Sequence, residues 1–64
     1  MKLRYDKEVD ILYIQFSDHP VAESDSDKPG IILDYDSSKN IVGIEVLNAS
    51  QKMETPLKVE YELA

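Results

Sequence analysis

The run from residue 10 to residue 16 reads Asp-Ile-Leu-Tyr-Ile-Gln-Phe, the densest group of strand-favouring residues in the chain. Successive side chains of a β-strand point to opposite faces of a sheet. Two sets therefore alternate: Leu12, Ile14 and Phe16 on one face, and Ile11, Tyr13 and Gln15 on the other. We predict a strand here, with Leu12, Ile14 and Phe16 filling the core.

Other segments on both sides of this run also favour strands, most of them by alternating apolar and polar residues. They are residues 1–5, 21–24, 31–35, 41–47 and 57–63. Polar or Pro-Gly segments separate them, which predicts local hairpins and an antiparallel sheet. Asp6 is expected to begin the first turn, and Asn40 to supply a left-handed residue in a later one. Gly43 indicates a bulge or the close approach of Tyr13 or Tyr35.

Residues 48–54 no longer favour a strand and tolerate a helix, with Asn48 or Ser50 as its cap. Thr55-Pro56 would end this helix. So short a helix cannot cover a sheet face, so the sheet must curl on itself or pack on a second copy. The sequence predicts a mainly β protein: a small antiparallel sheet of five or six short strands with one helical turn near residues 48–54. Residues 1–64 would form a single small β domain.

The length of 64 residues and the absence of cysteine favour association. A chain this short buries only about 60% of its unfolded surface and often needs disulfides, a metal or oligomerisation. Apolar side chains without an obvious cover would supply the interface. The candidate interface residues are Ile11, Tyr13, Leu57, Val59, Tyr61 and Leu63. We expect a homo-oligomer, most simply a dimer, and the 57–63 strand would pair within its own chain or with a neighbour.

The net charge is −6, from 13 acidic and 7 basic residues. Phosphate backbones repel such a surface, so no nucleic-acid partner is expected, whereas a basic protein partner would suit it. The first five residues lack the apolar region of a signal peptide, and no apolar run is long enough to cross a membrane. We therefore expect a cytoplasmic protein without a membrane partner.

Six acidic residues lie close together in the middle of the sequence: Asp18, Glu23, Asp25, Asp27, Asp34 and Asp36. They could form a calcium or magnesium site built on Asp25, Asp27, Asp34 and Asp36, because hard cations prefer oxygen ligands. They could instead form a patch for a basic partner, or simply be solvated side chains that protect an edge strand from aggregation. The divalent-metal site is the alternative to a protein-binding role.

No motif in the sequence indicates catalysis or a cofactor. His19 is the one histidine, and Ser17 and Asp18 beside it do not make a triad, since triad members converge from separate elements. The four tyrosines fall in predicted strands, where packing and interface contacts explain them better than base stacking, because no basic groove accompanies them. We expect no enzymatic activity, no catalytic residues and no cofactor.

Several segments together resemble a widespread family of very small prokaryotic proteins whose domain has no known function. They occur here in the order and spacing of that family: Tyr5-Asp6, Asp10 to Ser17, Val21-Ala22-Glu23-Ser24, Gly30 to Asp36, and Asn40 to Ser50. Asn48 stands where the family more often has aspartate. The resemblance implies a stand-alone small domain and supplies no catalytic residues. Members are often encoded beside a second small protein, as in toxin–antitoxin pairs, which implies an antitoxin-like neutralisation of a basic partner.

Overall fold

The computed structural model describes residues 1–54 and 57–64, except for the side chain of Asp27. Five strands and one helical turn follow one another along the chain. They are β1 (Lys2–Asp6), β2 (Ile11–Gln15), β3 (Glu23–Lys28), β4 (Ile31–Tyr35), β5 (Ile41–Leu47) and α1 (Ala49–Lys52). The predicted mainly β fold, with one helical turn within residues 48–54, is confirmed.

The strands form one open antiparallel sheet in the order β1-β2-β5-β4-β3. Three of the four pairings are local hairpins, and the fourth joins β2 to β5 across the middle of the chain. β2, which comes from the run that begins at Asp10, therefore joins the first hairpin to the rest of the sheet. The described sheet does not close on itself, which removes the curled alternative for this part of the chain.

The register gives the sheet two distinct faces. On one face, Leu12 lies opposite both Tyr5 and Val46, and Val46 also lies opposite Ile31. Ala49 of α1 joins Leu12 and Val46 to form the buried core, with half-buried apolar side chains around them. Among the described residues, the buried apolar side chains are Leu12, Val42, Val46 and Ala49. This core is small, as expected when one helical turn covers a five-stranded sheet.

The alternation of residues predicts Phe16 in the core, but its side chain is 43% exposed. β2 ends at Gln15, and Phe16 follows it with its backbone N–H bonded to the carbonyl of Val42 at 2.8 Å. The helix lies at the other end of β2, near Asp10, because the backbone N–H of Ala49 bonds to the Asp10 carbonyl. Phe16 therefore lies beyond the part of the sheet that α1 covers.

The strand predicted over residues 57–63 is absent from the described chain, where residues 57–64 lie in neither helix nor strand. Alternation of apolar and polar residues favours a strand only if a neighbouring strand edge supplies hydrogen bonds. The described residues of this chain do not pair with it. Closure of the sheet by this segment is therefore wrong for the chain alone, and pairing with a neighbour stays a prediction.

Two turn predictions are corrected by the backbone. The sequence predicts a strand over residues 21–24 and a break from Asp25, but β3 runs from Glu23 to Lys28, with an irregular register between Asp25 and Lys28 opposite β4. The left-handed residue of the later turn is Lys39, with φ 65°, rather than Asn40. Asn40 instead donates its backbone N–H to the Asp36 carboxylate at 2.9 Å. That bond holds the backbone of Asn40 in place, so the left-handed conformation that reverses the chain falls on Lys39.

The predicted roles of Asp6 and Gly43 are confirmed. The Asp6 carboxylate accepts the backbone N–H of Glu8 at 3.0 Å, as an Asx turn requires. A Cβ atom on Gly43 would lie 2.7 Å from the hydroxyl oxygen of Tyr13. Glycine therefore lets the Tyr13 ring cross β5 directly, beside the irregular step that the register takes between Asp34 and Tyr35.

Candidate functional site

The sheet face opposite α1 contains a shallow groove of about 480 Å³. The pairs Arg4–Tyr13 and Tyr13–Glu45 place these three side chains side by side across β1, β2 and β5. The groove is lined by Arg4, Asp6, Val9, Ile11, Tyr13, Val21, Ser24, Asp34 and Glu45. It therefore mixes apolar side chains with carboxyl groups.

Four polar side chains meet within this groove, and we call them the tyrosine–carboxyl cluster: Tyr13, Ser24, Asp34 and Glu45. Asp34 is only 2% exposed, and its Oδ1 accepts a 2.5 Å hydrogen bond from the Ser24 hydroxyl. The register brings them together, because Ser24 is opposite Asp34 and Asp34 is opposite Gly43. Burial of Asp34 is tolerated because removing a charged or polar group from water costs less free energy when the group is hydrogen-bonded.

Burial and neighbouring carboxyls shift the proton equilibria of this cluster. Burial raises the pKa of Glu45, and the neighbouring carboxyl group of Asp34 raises it further. Burial likewise raises the pKa of Tyr13, with the charges of Asp34 and Glu45 adding to the effect. Tyr13 therefore remains a neutral hydrogen-bond donor at physiological pH.

The structure does not bring the predicted metal ligands together. Asp34 belongs to the tyrosine–carboxyl cluster, while Asp36 lies in the turn after β4 and accepts the backbone N–H groups of Ser38 and Asn40, both at 2.9 Å. Asp25 is exposed on β3, and the side chain of Asp27 lies outside the described part of the molecule. Among the described side chains, no group of three or more His, Asp or Glu could hold a metal ion.

His19 lies beside Asp36, with its Nδ1 atom 3.3 Å from Asp36 Oδ2. The pKa of Asp36 is lowered, chiefly by the backbone hydrogen bond from Asn40 and further by the contacts with His19 and Ser38. The Asp36 carboxylate is thus occupied in holding the 36–40 turn together. The His19 side chain is 69% exposed. This arrangement supports a structural role for Asp36.

Asp10 is a polar centre that the sequence did not single out. Its backbone is left-handed, with φ 56°, and its carboxylate accepts hydrogen bonds from the Tyr5 hydroxyl at 2.6 Å and from the Ser50 backbone N–H at 3.0 Å. The Ser50 hydroxyl donates to its other oxygen at 2.7 Å. The expected caps behave differently: Asn48 makes no side-chain capping bond. The only signal for this contact was that Asp10 and Ser50 both belong to the segments of the family resemblance.

These hydrogen bonds stabilise the ionised carboxylate of Asp10. The bond from the Tyr5 hydroxyl is the largest cause that lowers the pKa of Asp10, followed by the side-chain and backbone bonds from Ser50. The same bond raises the pKa of Tyr5. Asp10 therefore joins the first turn, β1 and α1 through a charged acceptor. Its arrangement supports the helix rather than a binding site.

The structure separates the six predicted interface residues into two groups. Ile11 and Tyr13 are half-buried and line the groove on the face opposite α1. Leu57 is 37% exposed and lines a second depression of about 510 Å³ with Tyr5, Ala49 and Met53, on the α1 side. The remaining side chains are more exposed: Val59 60%, Tyr61 84% and Leu63 81%. The candidate interface residues thus lie on two separate surfaces of the molecule.

Two edges of the sheet differ in character. The described residues of β1 pair only with β2, and Lys2, Leu3 and Arg4 are exposed there. β3 forms the other edge, where Glu23 and Asp25 are exposed and the register is irregular. Irregular pairing discourages further strand addition, whereas the register of β1 with β2 is regular. β1 is therefore the more receptive edge.

These features define a small open-sheet β protein with an acidic edge and a mixed polar and apolar face. The chain belongs to the family described as protein of unknown function (DUF2283), whose model matches residues 2–50. This agrees with the family resemblance in the sequence. Neither the curated proteins nor the solved structures contain a match. In the part of the chain that the structure describes, no helix is long and apolar enough to span a membrane.

Proposed function

We propose that this protein is a non-enzymatic protein-interaction module that acts as a homodimer. The observation that carries the proposal is the segment from Leu57 to Leu63, defined here as the C-terminal segment. Its apolar side chains alternate with charged ones, yet Val59, Tyr61 and Leu63 are 60–84% exposed. Clustered exposed apolar side chains of this kind mark protein interaction sites.

The small core adds support. Four apolar side chains are buried among the described residues, while Met1, Leu3 and Phe16 are 83%, 39% and 43% exposed. A chain of 64 residues gains little stability from so small a core. Burying further apolar surface against a second copy would stabilise the fold, since each buried side chain contributes about 1.5–3 kcal/mol. Oligomerisation is a common solution for domains of this size.

Sedimentation equilibrium of the full chain over nanomolar to high micromolar concentrations tests self-association. The double variant Val59→Ser, Tyr61→Ser is expected to weaken dimerisation by at least about 100-fold, because two apolar anchors are lost. Ile41→Ser is the matched control, since Ile41 is 45% exposed on a different strand. Equal effects of both changes, or a monomeric wild type throughout, would contradict the proposal.

A second candidate role is neutralisation of a basic partner, in the manner of an antitoxin. The exposed acidic residues Glu23 and Asp25 on β3 and the net charge of −6 favour it. Such a surface attracts cationic proteins and speeds their association at low salt. Co-purification with the product of the adjacent gene tests it: Glu23→Lys, Asp25→Lys should weaken capture at least about tenfold. Capture that is unchanged by these substitutions and by salt would argue against this role.

A further inference from the structure

We propose that the free edge of β1 receives the C-terminal segment of a second copy as an antiparallel sixth strand. This inference rests on the proposed dimer and names the surfaces that form it. The β1 edge suits strand addition because it is regular and its described residues pair only with β2. The opposite edge on β3 is irregular, which discourages pairing, and its acidic residues would repel a segment that carries Glu60 and Glu62.

The two faces of β1 match those of the C-terminal segment. Leu3 and Tyr5 lie on the core side of the sheet, since Tyr5 is opposite the buried Leu12. Lys2, Arg4 and Asp6 therefore lie on the other side. In the C-terminal segment, the apolar residues Leu57, Val59, Tyr61 and Leu63 alternate with Lys58, Glu60 and Glu62. Pairing that extends the core must place the segment's apolar side chains on the side of Leu3 and Tyr5.

Charge then selects one antiparallel register. With Val59 opposite Tyr5 and Tyr61 opposite Leu3, every charged pair is of opposite sign. These pairs are Lys58 with Asp6, Glu60 with Arg4, and Glu62 with Lys2. A shift by two residues, which preserves the faces, places Lys58 opposite Arg4 or Glu60 opposite Asp6. Opposite charges directly across two strands stabilise a pair, and like charges destabilise it.

A second copy is the occupant because the chain's own segment does not pair with β1. Leu57 lies near Tyr5 and Lys7, but the side chains of Val59 and Tyr61 beyond it are 60% and 84% exposed. Lys58 pairs with Glu60 at 2.9 Å within the segment. Reciprocal exchange between two copies would complete both β1 edges at once and close a two-fold dimer. Strand addition of this kind also satisfies the unpaired backbone groups of an edge.

Charge reversal on the two surfaces tests the inference. Lys2→Glu, Arg4→Glu reverses the edge, and Glu60→Lys, Glu62→Lys reverses the segment. Each variant alone should dimerise at least about tenfold more weakly than the wild type, since like charges then face each other. In an equimolar mixture, the edge of each variant can receive the segment of the other, and both contacts then pair opposite charges. Dimers should therefore form again in the mixture. Circular dichroism of each variant establishes that it is folded, and recovery in the mixture would itself show competence to dimerise.

The matched control is Glu23→Lys, Asp25→Lys on β3, which makes the same change in net charge as the segment variant and should leave dimerisation unchanged. Dimerisation of each reversed variant at wild-type affinity would overturn docking on β1 while leaving self-association intact. Weakened variants whose mixture stays monomeric would also overturn it. A wild type that is monomeric would instead defeat the proposed dimer itself, so the two failures are distinguishable.

Discussion

The carboxylate of Asp10 holds the first turn of α1 through Ser50, a residue 40 positions later in the chain. One carboxylate oxygen accepts the Ser50 backbone N–H at 3.0 Å, and the other accepts its hydroxyl at 2.7 Å. The backbone N–H groups of a helix's first turn otherwise lack partners. Asp10 therefore replaces the local cap that Asn48 does not provide, and it couples the helix to the start of β2.

Replacement of Asp10 should destabilise the fold. Asp10→Ala removes the acceptor of Tyr5 and Ser50 and leaves the helical turn without its cap, so thermal unfolding should occur several degrees lower. Glu8→Ala is the control, because Glu8 is an exposed acidic residue in the same turn. Differential scanning calorimetry compares the two variants. Equal melting temperatures for them would show that the Asp10 contacts contribute nothing to stability.

Acid should destabilise the protein through Asp10 and Asp36. Their pKa values are lowered from 3.8 on folding, by the hydrogen bonds from Tyr5 and Ser50 and from Asn40 respectively. Each group therefore contributes stability that is present above pH 3.8 and is lost as pH falls below this value through the folded pKa. Urea unfolding from pH 7 to pH 2 should show this loss. Asp10→Asn, Asp36→Asn should flatten it, and an unchanged profile would contradict the assignment.

Glu45 should act with the opposite sign. Its pKa is raised above 4.5, chiefly by burial, so its contribution to stability is favourable below pH 4.5 and falls as pH rises through the folded pKa. Glu45→Gln should therefore raise the free energy of unfolding at pH 7. Asp18→Asn, at an exposed carboxylate, is the comparison.

Carbon-13 NMR titration of the carboxyl groups measures the Glu45 pKa directly. A value at or below 4.5, or a destabilised Glu45→Gln variant at pH 7, would contradict this description of the tyrosine–carboxyl cluster.

Tyr13 and Gly43 should be energetically coupled. A Cβ at position 43 would lie 2.7 Å from the Tyr13 hydroxyl oxygen and 3.1 Å from both its Cζ atom and the Ile14 carbonyl oxygen. Gly43→Ala should therefore cost about 1–3 kcal/mol through overpacking. Tyr13→Phe removes the closest atom and should recover part of that cost in the double variant, as a double-mutant cycle with urea unfolding would show. Strictly additive effects would rule out this contact.

The sequence predicts the strands well where local pattern determines them. Residues 31–35 and 41–47 match β4 and β5, because apolar residues there are bounded by strong turn signals. The polar continuation of β3 to Lys28 was missed, since edge strands do not need an apolar pattern. The C-terminal segment shows the opposite error: it has the pattern of a strand but no partner among the described residues.

The site was less predictable than the fold. Tyr13 was singled out, but the cluster around it depends on the register between β3, β4 and β5, which no local pattern specifies. The contact between Asp10 and Ser50 depends on the non-local pairing of β2 with β5 and on a left-handed backbone at Asp10. Contacts of this kind emerge only when the order of the strands is known.

Sedimentation equilibrium of the two charge-reversed variants, alone and in equimolar mixture, tests the central claim most directly. Pairing of the C-terminal segment with the β1 edge of a second copy predicts mainly 7.3 kDa species for each variant alone and twice that mass for the mixture. A mixture that remains at 7.3 kDa, at concentrations where the wild type is dimeric, would contradict it.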